Sequence, residues 1–575
     1  MSAGKKYGWG DLVKALGRRK SGAMFLLGFA SGLPYVLITG TLNAWFTEEK
    51  VSVATIGVFS WIIIIYSFKF LWSPAVDRAP APPIFNMGQR RGVILLLQLV
   101  IISALFTIST VNPQTGIGWI ALAAIVATFA SASQDVLIDA WRIEVADEEV
   151  TVDLLSAVVQ LGYRTAVILG GAGALIIAAR IGWNHTFEVL TALMALSISG
   201  VFIAQDSQSA ERTKGLTNAP SPLWRNMALA PVLAGWAWSF AALFGFMAYA
   251  LSAPGEANAR QFTLHTGPLI VIAAIIAPVA AAAMLNWRSD ISQMIAQTGM
   301  ALKLKPGAEK TAWPGQGALD ALYGSVLEPM IDIVARLKLA AVLVLILVLS
   351  YRFADLVWGA FAYPFYLGAD YGALGHTLDE VAIASKLLGV LMTFVGIGVG
   401  GVAILRIGRM PCLFFGAVLA AATNLLFADL ANGGAGADAF MSALHLYSLF
   451  GFVQPLANYL HLDVTMNNAL AQLMLVISAE NIAVGFASAA NVVYLSSIVN
   501  KRYAAVQYAL LASLTFLLGS LGRGALGELI EQRGYAYVFY LTAALGLVAV
   551  VASALEWLRQ SRVDKSEAQS ASRAS

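Results

Sequence analysis

The chain has 575 residues, of which 59% are hydrophobic and 12% charged, with a mean hydropathy of +0.73. Soluble domains carry about 25% charged residues, so this composition excludes a soluble globular protein and sets the class as an all-α polytopic membrane protein. The formal charge of +3 is small, and in such a chain the loops that carry the cations are more informative than their sum.

A single cysteine, Cys412, rules out an intrachain disulfide. The five histidines, His185, His265, His376, His445 and His461, lack metal-ligand spacing, so no metal is expected. Nothing in the chain calls for a nucleic-acid partner.

The N-terminal segment, residues 1–22, places Lys5, Lys6, Lys14, Arg18, Arg19 and Lys20 ahead of the first apolar run. A basic flank of this kind predicts a cytoplasmic N-terminus. The run itself, residues 23–45, is too long for a cleaved leader's apolar region. It contains Gly32, Pro34 and Gly40, which suit either a kinked helix beside a cavity or close helix packing.

A first bundle over residues 23–204 has spans expected near 23–45, 53–74, 92–111, 117–138, 153–178 and 183–204. The outer turns are lean in cations. The inner links carry Asp77, Arg78, Arg90 and Arg91, then Arg142 with acids at 147–149, then Arg212 and Lys214. Within this bundle the stretch 119–142, WIALAAIVATFASASQDVLIDAWR, is long enough to span a bilayer yet ends in Gln134, Asp135, Asp139 and Arg142. Asp135, Asp139 and Arg142 follow i, i+4, i+7 spacing and share one helix face. Ionised groups facing lipid are disfavoured, so this face must look toward protein, water or the membrane boundary.

After a cytoplasmic link, 205–227, residues 228–285 read as an inserted transmembrane hairpin with spans at 228–252 and 268–285. A cytoplasmic connector, 286–337, follows. Its KPGAEKT run at 305–311 lacks the glycine before lysine and the preceding strand of a phosphate loop, which argues against nucleotide binding. A second bundle, 338–558, has spans expected near 338–366, 379–403, 411–428, 469–495, 504–526 and 536–557. Counting 440–460 as a further span would invert all that follows, so it reads as an outer interfacial helix. Residues 559–575 form a disordered cytoplasmic tail.

An internal echo links the bundles. RIGWNHTFEVLTAL (180–193) and EQRGYAYVFYLTAAL (531–545) each run from a glycine-aromatic turn into a helix carrying Phe187 or Phe539. Two six-helix halves plus the hairpin give 14 transmembrane helices, both termini inside, in the major facilitator fold. A substrate site is then expected at the interface of the halves.

Ionisable residues within the spans are Lys69, Asp135, Asp139, Arg164, Arg352, Asp355, Lys386 and Glu480. Arg352 and Asp355, at i and i+3, suit a structural pair. Arg164 and Lys386 suit an anionic ligand held between the halves, although Arg164 could instead neutralise Asp135 or Glu480. Proton coupling needs a carboxylate whose hold on a proton changes with burial and with an approaching cation. Asp135 and Glu480, in the fourth core helix of each half and flanked by Gln134 and Asn481, are the candidates, and those amides count among the substrate-binding residues. Asp139 and Arg142 fit helix-terminal pairing. Asp77, Arg78, Arg90 and Arg91 fit either a gate latch or basic anchoring. Tyr35 and Tyr163 are the best candidates for aromatic platforms in the site, whereas Trp45 and Trp358 fit packing.

The stretches MFLLGFASGLPYVLITGTLNAWF (24–46), FKFLWSPAVDR (68–78) leading to Gly88-Gln89-Arg90-Arg91-Gly92, and SASQDVLIDAWR (131–142) resemble the AmpG muropeptide permeases of the major facilitator superfamily. Glu328-Pro329, the Lys386 helix and ENIAVGF (480–486) match as well. The link after the second span resembles the superfamily's loop motif, with Ser73 in place of the usual glycine and a proline-rich insert. This resemblance implies a multi-pass protein of the bacterial inner membrane that imports GlcNAc-anhydroMurNAc and its peptides. The proton gradient drives it, without a cofactor and as a monomer. Another bulky solute, such as a siderophore or acyl-CoA-like compound, is the alternative within transporters. A membrane-embedded transferase or a sensor would be a different class, and no catalytic constellation supports either.

Overall fold

The computed structural model describes residues 17–69, 72, 76, 87–147, 149–150, 152–205, 223–252, 257–297, 323, 327–500 and 504–574. Twelve helices among them are long and apolar enough to cross a membrane. In the first half these are α1 (Arg19–Glu48), α3 (Arg90–Ser109), α4 (Pro113–Arg142), α5 (Val158–Ile181) and α6 (Trp183–Ile203), with a shorter apolar helix, α2 (Val53–Tyr66), at the second expected span. The inserted hairpin forms as α7 (Leu229–Ser252) and α8 (Gly267–Trp287).

A strongly amphipathic helix, α9 (Glu328–Leu337), precedes α10 (Ala340–Leu367), α11 (Leu378–Ile404) and α12 (Arg409–Ala431). The segment expected at the interface is a pair of short helices, α13 (Ala435–Ala443) and α14 (Leu446–Tyr459), bent by 94°. They leave Phe440, Leu444, Leu449 and Phe452 exposed. Next come α15 (Asn468–Ile498), α16 (Ala504–Leu521) and α17 (Arg523–Ala574), the last of which continues as helix through the segment expected to be a disordered tail. The last two expected spans run together in Leu514–Val563, which accounts for one of the two missing from fourteen; the short α2 accounts for the other. The two spans that run together are separated by a break at Gly534, whose φ of 79° and ψ of 167° are not helical.

The helices gather into two compact units. The first holds α1–α6 with Ala360–Leu388 and Ser442–Ala471; the second holds the remainder, the hairpin included. In the first unit α1 lies on α5 at close range, because a Cβ at Gly28 would strike the Val159 carbonyl and one at Gly162 the Phe25 carbonyl. Small residues at such crossings let membrane helices pack by van der Waals contact where no hydrophobic force separates them from lipid. Leu27, Leu137, Trp141, Val158 and Val201 fill the adjacent core. Gly182 opens α6 with φ 79° and ψ 167°. Phe187 is fully buried with its ring 5.2 Å from Trp45, which in turn stacks on Trp183 at 6.3 Å.

The second unit repeats these devices. Gly396 of α11 and Gly485 of α15 meet the backbones of Ile482 and Thr393 too closely for any side chain. After Gly534, with the same backbone angles as Gly182, Tyr535 lies 6.3 Å from Phe539, and Phe539 lies 5.4 Å from Trp358. The glycine-aromatic echo in the sequence is thus one local structure used twice, and Trp45 and Trp358 are packing residues, 1% and 4% exposed. The hairpin is tied together by Trp236 Nε1 donating to the Ala274 carbonyl at 3.0 Å, and to α17 by Arg260 donating to Gln532 at 2.9 Å.

Candidate functional site

The polar centre of the first unit is built on α4. Asn112 caps that helix by accepting from Gln114 N at 2.8 Å, and Pro113 occupies its first turn, where no amide is needed. The alanines and serines at 130–133 carry so little bulk that other side chains reach the Asp135 face. Ser31 of α1 donates to Asp135 Oδ1 at 2.6 Å, and Lys69 Nζ stands 3.8 Å from Oδ2. One turn earlier Tyr66 donates to Ser131 Oγ at 3.0 Å. Tyr35 packs edge-on to Tyr66 at 5.3 Å and lies 6.3 Å from Tyr163, so three phenol rings cluster beside this face.

Asp135, Tyr35 and Tyr163 are therefore brought together, and the cation reaching Asp135 is Lys69, a place for which the sequence reading considered Arg164. Gln134 points elsewhere. It is fully buried, and neither amide atom has a partner among the described residues. Asp139 is exposed and pairs with Arg142 at 3.1 Å, as helix-terminal charges do.

At the same end of the unit Arg90 grips Glu144 with two hydrogen bonds of 2.7 and 2.5 Å, and Arg91 donates to the Val201 carbonyl at 3.1 Å. Lys20 meets Asp147 at 2.5 Å. Asp77 and Arg78 lie outside the described residues.

At the opposite end of the unit Arg180 of α5 binds Asp379 through Nη1 and Nη2 at 3.1 and 3.2 Å and donates to the His461 carbonyl at 2.8 Å. The Asp463 amide completes the cluster on Asp379 at 2.7 Å. Near it are three π-helical turns, Leu37–Thr41, Leu169–Gly173 and Ala382–Leu388. Turns of this kind are rare and concentrate at functional sites. Thr41 Oγ1 donates to the Gly170 carbonyl at 2.5 Å, and the Lys386 side chain passes over Gly171.

In the second unit Glu480 Oε2 accepts from Asn481 Nδ2 at 3.1 Å, and the Asn481 oxygen accepts from Thr393 at 2.9 Å. Arg352 and Asp355 pair at 2.6 Å, with Arg352 also donating to Ser488 at 2.7 Å. No group of acids, histidines and cysteine that could hold a metal occurs among the described residues.

Lys69, Ser31 and Tyr66 were absent from the sequence-derived site, as was the Arg180–Asp379 pair. Lys69 carried a visible signal, a lysine inside an apolar run. Arg180 and Asp379 are 199 positions apart, and no local pattern joins them.

No family model matches the chain. It is 39% identical over 188 residues to the anhydromuropeptide permease of Escherichia coli K12, an alignment covering 32% of this chain and spanning 38% of that protein's length. It is 23% identical over 529 residues to a protein of Rickettsia felis named putative transporter AmpG 4, covering 92% of this chain and 94% of that one. Among solved structures it is similar to the nucleoside transporter NupG (TM-score 0.52, 12% identity, 93% of this chain and 98% of the other). It is also similar to the POT family transporter PepTSo (TM-score 0.54, 12% identity, 97% and 99%). These relatives are named permeases and transporters, not enzymes, as the sequence led one to expect. The chain is a multi-pass membrane protein with the major facilitator fold, and the AmpG resemblance carried by its motifs is borne out in the relatives it matches.

Proposed function

We propose that this chain is a proton-coupled permease that imports GlcNAc-anhydroMurNAc and its peptides across the bacterial inner membrane, with both termini in the cytoplasm. The observation that supports it most is Asp135, a carboxylate on a membrane-spanning helix held by one serine and one loosely placed lysine beneath three tyrosine rings. A charge of this kind is tolerated in a span when it serves transport.

A proton arriving at Asp135 removes the negative charge that holds Lys69 at 3.8 Å. Lys69 is then free to move, and such a change of partner is the local event that rocking of the bundles can follow. The rings of Tyr35, Tyr66 and Tyr163 offer flat apolar surfaces to sugar faces. Arg164 and Lys386 supply positive charge for substrate carboxylates, and Asn481 supplies an amide. Glu480 is the second proton candidate. No cofactor besides the proton gradient is required, and the working form is a monomer.

The test is uptake of radiolabelled GlcNAc-anhydroMurNAc by proteoliposomes with and without an imposed pH gradient. Accumulation above equilibrium that needs the gradient is expected. Equal uptake in both conditions removes the proton coupling, and no uptake in either removes the substrate.

A further inference from the structure

The helical segment that closes the first unit contains three charged residues, and two of them are neutralised locally. Asp379 is bound by Arg180, and Glu380 accepts from His376 at 2.9 Å and from the Thr377 amide at 3.1 Å. The third, Lys386, is half-buried in the π-helical turn Ala382–Leu388 and has no carboxylate within ion-pair distance among the described residues. Its ammonium instead lies 4.8 Å from the centroid of the Tyr363 ring.

That ring is held rigidly. Tyr363 is 3% exposed, and a Cβ on Gly40 would touch its Cε2 at 3.4 Å. On the other side the Lys386 stem runs close over Gly171, where a Cβ would meet its Cδ at 3.2 Å. The Tyr363 hydroxyl is buried and without a hydrogen-bond partner.

A span thus holds a cation without a counterion beside a phenol without an acceptor. Both deficits are of one kind, because each group lacks an anionic oxygen. An aromatic face attracts an ammonium more weakly than a carboxylate does in a desolvated setting, so the ring serves as a resting place. Burying a phenol O–H unpaired is also unfavourable, and that cost is relieved by any oxygen that reaches it.

We propose that Lys386 and Tyr363 together form a carboxylate-reading subsite, in which the substrate's carboxylate takes the Lys386 ammonium off the Tyr363 ring and accepts the Tyr363 hydroxyl. Tyr363 is then a specificity-determining residue. This inference rests on the muropeptide reading above and adds which substrate group is recognised and by which atoms.

The test is equilibrium binding to the full chain in lipid nanodiscs, with two probes: GlcNAc-anhydroMurNAc, which carries a free lactyl carboxylate, and the same compound with that group converted to the carboxamide. The wild type is expected to prefer the acid by about tenfold to a hundredfold, the size of a charge-assisted hydrogen-bonded contact. Lys386→Gln should abolish the preference by weakening binding of the acid, and its thermal melting curve in the same nanodiscs shows whether the variant is folded. Tyr363→Phe, which keeps the ring and its packing, should lower the preference part of the way, and it carries the test should Lys386→Gln fail to fold. A wild type that binds both probes equally overturns this inference and leaves the muropeptide reading standing, as does a Tyr363→Phe variant with undiminished preference. A wild type that binds neither probe overturns both.

Discussion

The fourth core helix of each half, α4 and α15, carries one carboxylate at related depth, and the two are treated differently. Asp135 is reached from α1 by Ser31 at 2.6 Å and by the ammonium of Lys69 at 3.8 Å, with tyrosine rings above it. Glu480 is met by its own neighbour Asn481, whose amide is fixed in turn by Thr393 and by the Ile477 carbonyl. The surrounding scaffold does not differ in this way. Gly182 and Gly534 share one backbone conformation, Trp45 and Trp358 meet equivalent aromatic partners, and a glycine pair brings two helices together in each half. Packing was duplicated while charge chemistry was allotted unequally. A carboxylate that faces a cation across 3.8 Å can trade it for a proton.

The strongest way to break this contrast is to neutralise each carboxylate in turn. Asp135→Asn is expected to abolish gradient-driven accumulation in proteoliposomes while substrate exchange across the membrane continues. Glu480→Gln should lower accumulation by less than Asp135→Asn does. A reversal of the two results would move the proton site to α15. Next in size, Lys69→Gln leaves Asp135 without its cation, and breaking such a pair costs about 3 kcal/mol, so accumulation should fall by about a hundredfold. Ser31→Ala removes one hydrogen bond to a charged group, about 1.5 kcal/mol, and should reduce uptake by about tenfold. A Ser31→Ala effect larger than that of Lys69→Gln would show that the serine, not the lysine, sets the state of Asp135.

Much of this arrangement was legible in the sequence, and the reasons are local. Hydropathy locates the spans, because about 20 apolar residues are needed to cross hydrocarbon. The i, i+4, i+7 row of Asp135, Asp139 and Arg142 marks the polar face of α4. The Arg352–Asp355 pair is an i, i+3 contact within one helix and could be read directly. Which cation meets Asp135 could not, since Lys69 and Arg164 are both lysine or arginine in apolar runs and only the packing of α1, α2 and α5 decides between them. Gln134 shows the same limit from the other side. It neighbours Asp135 in sequence, yet one residue along a helix is a turn of about 100°, enough to bury it away from the site. The π-helical turns that place Lys386 over Tyr363 leave no pattern that periodicity could detect.

A smaller test concerns the ends of the two units, each closed by a carboxylate clasp outside the spans. Asp147 is held below the usual carboxylate range by Lys20, which donates at 2.5 Å, and by the amides of Val150 and Glu149. Burial pushes Asp332 up, but hydrogen bonds from Gln507 and Asn500, both at 2.8 Å, and from Arg336 at 2.9 Å outweigh it and hold the carboxyl below its ordinary value. A lowered folded-state value means that the stabilisation is fully present above the unfolded value of about 3.9 and is lost as pH falls through the folded value. Asp332→Asn should therefore lower the melting temperature of the purified protein at pH 7, by the equivalent of about 1 kcal/mol. The gap to wild type should close as the pH is taken below about 4. Asp147→Asn should do less, because that carboxylate is half exposed and its main donor is a cation, so added salt screens it. Two of the three donors to Asp332 are neutral amides, which salt does not screen. A clasp at Asp332 that weakened with salt as much as the one at Asp147 would mean that Arg336 alone holds it, and the difference drawn between the two ends would be lost.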